Sequence, residues 1–123
     1  IRQYELNDTA PEGWTRSGVE LIYTIDWTGE EGQLAAATER HTTGDICVFH
    51  PITGEFVQVF DEEADRLYVV DVSGDWREEM IELHGNELRI YHNPAPNPRP
   101  DQPRLWELPH YRRAKQAYNY YSP

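Results

Sequence analysis

Apolar residues along this chain fall in short runs rich in β-branched and aromatic types, broken at close intervals by turn-forming residues. The runs Val19–Ile25, Leu34–Thr38, Asp45–Phe49, Glu55–Phe60, Arg66–Val72, Glu79–Leu83 and Glu87–Tyr91 predict strands. Two of the intervening turns, Pro51-Ile-Thr-Gly54 and His84-Gly85-Asn86, place a glycine where a tight hairpin needs backbone angles that a side chain disfavours. No long window carries a helical stripe, although residues 110–118 have room for one or two helical turns. From His92 to Pro109 the chain contains Pro94, Pro96, Pro98, Pro100, Pro103 and Pro109, a density that excludes a helix or central strand and predicts an extended segment crossing a surface.

Two stretches of the chain superimpose. Ile22-Tyr-Thr-Ile-Asp26 matches Leu67-Tyr-Val-Val-Asp71, and Gly29 matches Gly74, both at an offset of 45 residues. Further on, Ile46-Cys-Val-Phe-His50 matches Leu88-Arg-Ile-Tyr-His92 at an offset of 42. Each unit reads strand, acidic loop, strand, turn, strand, and a period of about 40–45 residues with several short strands is that of a β-propeller blade. The expected fold class is therefore all-β, with consecutive propeller-like blades and an extended Pro-rich tail. On this reading residues 1–18 are an extended entry, 19–65 a first blade, 66–92 a second blade, and 93–123 a Pro-rich and aromatic tail. Two blades cannot close a ring and would leave unpaired edges. The remaining blades are expected from a longer parent chain or from other copies, and the start at Ile1, without an initiator Met or signal peptide, reads as a processed or truncated product.

Charge narrows the classes of partner. Eleven basic against 22 acidic residues give a net charge of −11, which repels phosphate backbones and anionic membrane surfaces and suits divalent cations and a secreted, extracellular life. Neither a nucleic-acid nor a membrane partner is expected, and no apolar run approaches the roughly 18 residues of a transmembrane helix. Ten of the basic residues are arginines and only Lys115 is a lysine, a bias toward planar, bidentate contact with carboxylates. Cys47 is the single cysteine, which excludes an internal disulfide, and its apolar run Ile46-Cys47-Val48-Phe49 predicts a buried, inert thiol.

The acidic loop Asp71-Val-Ser-Gly-Asp-Trp-Arg-Glu-Glu79 carries the clearest candidate chemistry. Calcium takes six to eight oxygen ligands, and a tight loop presents them from alternate positions. Asp71, Ser73, Asp75, the Arg77 carbonyl and Glu79 occupy positions 1, 3, 5, 7 and 9, with Gly74 allowing the bend and the Arg77 side chain expected to point outward. Crowded carboxylates repel one another without a cation, whereas the competing reading is a solvated turn with ordinary surface acids. The earlier copy keeps Asp26, Thr28 and Glu30 but has Leu34 at position 9, so it is expected to survive as a turn.

This loop resembles the calcium loops of FG-GAP-type β-propellers. The longer string Asp-Val-Ser-Gly-Asp-Trp-Arg-Glu-Glu-Met-Ile, followed by Leu88-Arg-Ile-Tyr91 and then Tyr111-Arg112 and Ala117-Tyr118-Asn119, is similar to the end of the propeller in rhamnogalacturonan lyases of polysaccharide lyase family eleven. The resemblance is clearest over residues 66–120. It implies a secreted, calcium-dependent propeller that acts on acidic polysaccharide by β-elimination. Such chemistry needs a cation or arginine for the uronate, a base, and an acid for the leaving oxygen. Arg40 as clamp with His41 as base, and Tyr111 with Arg112 in the tail, offer these groups; for each set the plain alternative is a surface ion pair or packing residue. His50 and His92 recur at strand ends and read as structural, while Trp14, Trp27, Trp76 and Trp106 suit either sugar stacking or packing. Two non-lyase readings stay open: a non-catalytic module that binds carbohydrate or protein, and a self-assembling extracellular structural protein.

Overall fold

Every predicted run becomes a strand in the computed structural model, which describes residues 19–39 and 44–117. Strands β1 (Val19–Ile25), β2 (Leu34–Glu39), β3 (Asp45–Phe49) and β4 (Phe56–Glu63) form an antiparallel meander in chain order. Strands β5 (Arg66–Val70), β6 (Glu79–His84) and β7 (Glu87–Tyr91) form a second antiparallel sheet, also in chain order. A single 3-10 turn (Leu105–Glu107) and one helix, α1 (Pro109–Gln116), follow. The protein is thus mostly β, with sheets of four and three strands and no closed barrel or propeller ring among the described residues.

Alternation explains why the first sheet is buried on both faces. Leu34 and Ala36 of β2, with Ile46 and Val48 of β3, face the second sheet and meet Leu67, Val69 and Met80. Ala35 and Ala37, with Cys47 and Phe49, form a separate apolar cluster on the opposite face, packed against Phe56 and Val59. Central strands buried on both sides read as continuous apolar runs, as Leu34–Ala37 and Ile46–Phe49 do. The hairpin turns close as their glycines require: His50 and Gly54 are linked by a backbone hydrogen bond of 2.8 Å, and Gly54 sits at φ 75°.

The two sheets are joined beyond their apolar contact. Phe60 of β4 meets Trp27 edge-on at 6.0 Å and Tyr91 of β7 at 4.6 Å between ring centroids. Arg89 on β7 binds Glu82 of β6, which is fully buried, at 3.0 Å and Glu62 of β4 at 3.0 Å. The Tyr91 hydroxyl also donates to Glu62, so one ion-pair network ties β4 to β6 and β7. Burial and the neighbouring Glu62 and Glu82 carboxylates hold the Tyr91 phenol above its ordinary range.

Strand ends differ from the predicted ones where neighbours intervene. β5 stops at Val70 instead of reaching Val72 because the tail takes the Asp71 backbone: its N–H donates to the Tyr111 hydroxyl and its carbonyl accepts from the Trp106 indole. Pro109 opens α1 at the first helical position, where a missing N–H costs no hydrogen bond. Between Asn93 and Arg104 the chain forms neither helix nor strand.

Burial pushes the Cys47 thiol up to about 12, with the Ala37 backbone hydrogen bond only partly opposing the shift. Thiolate is the reactive form, so Cys47 should resist a thiol-reactive chromogen in the native protein at neutral pH and react in full after denaturation. Rapid native labelling would show that this face of the first sheet opens readily.

Candidate metal loop and the strap that holds it

Between β5 and β6 the chain makes a tight acidic loop whose shape depends on Gly74 at φ 78°. Open space surrounds that glycine, so the requirement is conformational. The corresponding Gly29, at φ 79°, is limited in space as well: a Cβ there would lie 2.9 Å from both Asn97 and Pro98. Trp76 is left-handed without being glycine, at φ 66°. Such a conformation costs a bulky residue roughly 1–2 kcal/mol. Its surroundings over-determine it: the indole is buried, donates to the Arg99 carbonyl at 2.7 Å and lies beneath the Arg99 guanidinium at 4.9 Å.

The predicted metal-site residues converge on this loop, largely through bonds to its own backbone. Asp71 Oδ1 accepts from Gly74 N at 2.6 Å. Glu79 Oε2 accepts from Val72 N at 2.6 Å and Ser73 N at 3.1 Å, and Ser73 Oγ donates to Asp75 Oδ1 at 3.1 Å. The expectation that Arg77 points outward is corrected. Its guanidinium folds back onto Asp75 Oδ2 at 2.8 Å and donates to the Ala95 carbonyl at 2.8 Å, because the strap passes directly over the loop. Burial alone would raise Asp75, but hydrogen bonds and charge from Arg77 outweigh it and hold the carboxyl below its ordinary value.

Asp71 behaves differently. It is almost wholly buried, and its Oδ2 has no hydrogen-bond partner among the described residues. Burial lifts this carboxyl above its usual range, with the Glu79 and Asp75 charges adding to the effect against the Gly74 and Trp76 N–H groups. A buried carboxylate oxygen without a donor is costly, and a cation is the natural partner for it. The donor set is all hard oxygen, as calcium prefers. Asp71, Ser73, Asp75, the Arg77 carbonyl and Glu79 are chemically suited to hold the ion. As the loop stands, no group of three or more His, Cys, Asp or Glu side chains is drawn together in ligand geometry among the described residues.

The Pro-rich segment runs across both acidic loops. Asn93 Nδ2 donates to the Trp27 carbonyl at 3.0 Å and Asn97 Nδ2 to the Asp75 carbonyl at 2.9 Å. Arg99 donates to the carbonyls of Gly29 at 2.8 Å and Glu30 at 2.6 Å. The first loop is closed by side-chain hydrogen bonds: Gln33 donates to Asp26 Oδ2 at 3.0 Å and Thr28 Oγ1 accepts from Glu30 N at 3.2 Å.

Below the strap lies Glu78, only 3% exposed. Its Oε2 accepts from Asp26 N at 3.2 Å, while its own N–H donates to the Asp26 carbonyl at 2.9 Å. Its Oε1 takes the Tyr111 hydroxyl at 3.0 Å and Lys115 Nζ at 2.9 Å. Lys115 also donates to the Val69 carbonyl at 2.5 Å. Tyr111 and Lys115 stand one helical turn apart on α1, so one face of the helix grips a single carboxylate.

Of the residues considered for elimination chemistry, Arg40 and His41 lie outside the described residues. Tyr111 is buried, its hydroxyl donates to Glu78 and accepts from Asp71 N at 2.8 Å, and burial with the Glu78 charge holds the phenol well above its ordinary range. Arg112 is exposed and donates to the Trp106 carbonyl at 3.2 Å. His50 and His92 stand exposed just after β3 and β7. Sequence reading passed over Glu78, Lys115, Asn97 and Arg99. One signal was available: the only lysine of the chain follows Tyr111 at helical spacing.

Lys115→Ala leaves the Glu78 carboxylate buried and short of its cation, a change that typically costs about 3–5 kcal/mol. Denaturant unfolding should register a loss of this size, and Lys115→Arg should recover part of it. A loss below about 1 kcal/mol would place Glu78 in the regime of solvent-screened surface pairs. Comparison with protein-family models, with curated proteins and with solved structures returned no match.

Proposed function

We propose that this chain is a calcium-braced, blade-like portion of a secreted β-propeller-type protein of acidic polysaccharides, and that the described residues bind and brace without carrying out catalysis. The observation that carries the reading is Asp71 Oδ2, a buried carboxylate oxygen with no donor in a loop lined with further oxygen ligands. Two meander sheets stacked through a shared apolar face support the blade-like part of it. In the bound state Asp71, Ser73, Asp75, the Arg77 carbonyl and Glu79 would supply the oxygens, and calcium would supply the positive charge that the crowded carboxylates lack. This chain's own part is to shape the loop through Gly74 and to anchor it from behind through Tyr111 and Trp106.

A binding role is favoured because the buried Tyr111 hydroxyl already has a donor and an acceptor partner, which leaves it poorly placed to take a proton from substrate. The rhamnogalacturonan-lyase-like reading rests on the sequence string alone, and it would need groups such as Arg40 and His41. Its test is direct: the ultraviolet absorbance of an unsaturated uronate should stay flat when the chain is incubated with acidic pectic polymers, and a calcium-dependent rise would restore the lyase reading.

A ligand that binds only the folded state stabilises it by mass action, about 2.7 kcal/mol at a hundred times its dissociation constant. Saturating calcium should therefore raise the melting temperature, magnesium should do so less, and a chelator should reverse the gain. Asp75→Ala should abolish the response while leaving the chain folded. Identical melting curves with calcium and with chelator would refute the ion site.

A further inference from the structure

Basic residues are unevenly distributed along this acidic chain. Residues 93–117 hold five basic against two acidic residues, whereas the rest of the sequence holds six basic against twenty acidic. Two of the five are consumed internally: Arg99 by the first loop and Lys115 by Glu78. The others lie close in the chain to Trp106, the exposed aromatic among the described tail residues, which keeps 38% of its surface in solvent. Arg104 lies two residues before it, Arg112 donates to its carbonyl at 3.2 Å, and His110 and Arg113 share the next helical turn. Arg104, His110 and Arg113 are exposed, and their side chains form no hydrogen bond or ion pair among the described residues. Unpaired arginines beside an exposed indole are conspicuous in a protein with a twofold excess of acids.

The indole is also held in place. Its N–H donates to the Asp71 carbonyl at 2.5 Å, and Tyr111 meets it edge-on with ring centroids 5.2 Å apart. An anchored, partly exposed indole whose backbone carbonyl holds the Arg112 guanidinium, with Arg104 and Arg113 near it in the chain, matches a pyranose ring that carries a carboxylate. The ring stacks on the indole, while the carboxylate receives paired N–H donors from arginine. The strongly acidic remainder of the chain would repel a densely charged polyanion or a bulky acidic protein surface. A thin oligosaccharide with one carboxylate per sugar can reach the patch without approaching that remainder.

We propose that Trp106, Arg104, Arg112, His110 and Arg113 form a binding surface for uronic-acid oligosaccharides. The inference rests on the proposed acidic-polysaccharide reading and names the surface that would serve it. Because Trp106 is anchored to Asp71, the platform is built on the acidic loop, yet its cationic groups are independent of any metal.

The test uses trigalacturonate and the neutral galactose trimer as probes for the full chain, in low salt and without added calcium, read by calorimetry and by nitrogen–proton correlation spectra. Trigalacturonate should bind and shift the Trp106 indole N–H signal, assigned through Trp106→Phe, and the neutral trimer should bind far more weakly. The double variant Arg104→Glu, Arg113→Glu should lose roughly tenfold or more in affinity, as expected when charge-assisted contacts are replaced by repulsive ones, with an unchanged melting temperature. No binding, equal binding of the neutral trimer, full affinity in the double variant, or tighter binding of an oligo-aspartate peptide would each overturn the proposal. A flat calcium melting response with trigalacturonate binding intact would remove the ion site and leave this surface standing, so the two failures are distinguishable.

Discussion

The architecture depends on one buried carboxylate, Glu78, at the point where the two sheets and the tail meet. Reciprocal bonds with the Asp26 backbone tie the start of β6 to the loop after β1. Bonds from Tyr111 and Lys115 bring α1 to the same place. A charge that is only 3% exposed is tolerable because donors from α1 and from the loop after β1 converge on it. Apolar contact holds the sheets together without direction, whereas this cluster sets how the sheets, the loops and the tail are aligned.

From that constraint the acidic loop acquires its form. Asp71 is held by its backbone from both sides, through Tyr111 and Trp106, while its side-chain oxygen points into the loop without a donor. The strap closes the outer side by engaging Arg77, Asp75 and Trp76. The loop is consequently held at its base, and Asp75 is engaged by the Arg77 guanidinium, the Arg77 N–H and the Ser73 hydroxyl. Such a base suits the proposed ion site. It also explains why the proposed sugar-binding platform and the proposed ion site share one anchor.

Much of the fold was legible in the strand runs, because alternating or continuous apolar segments separated by glycine turns have few other solutions. The repeat was legible too: Asp26 and Asp71 directly follow β1 and β5, and Gly29 and Gly74 adopt nearly the same left-handed angle. The fate of Arg77 was not legible, since its partner Ala95 lies 18 residues away on a strap whose path no local pattern reveals. The setting of Tyr111 was not legible for the same reason: its hydroxyl is buried against a carboxylate 33 residues earlier.

The sequence by itself determined the seven strands, the hairpin turns, the acidic character of both loops and the inert setting of Cys47. These follow from local periodicity, backbone preference and side-chain chemistry. Only the tertiary structure decided that the Pro-rich segment is a strap, that the lone lysine neutralises Glu78, and that Trp106 is a fixed aromatic surface. Those outcomes depend on contacts between residues distant in the chain, where the cost of burying each polar group selects its partner.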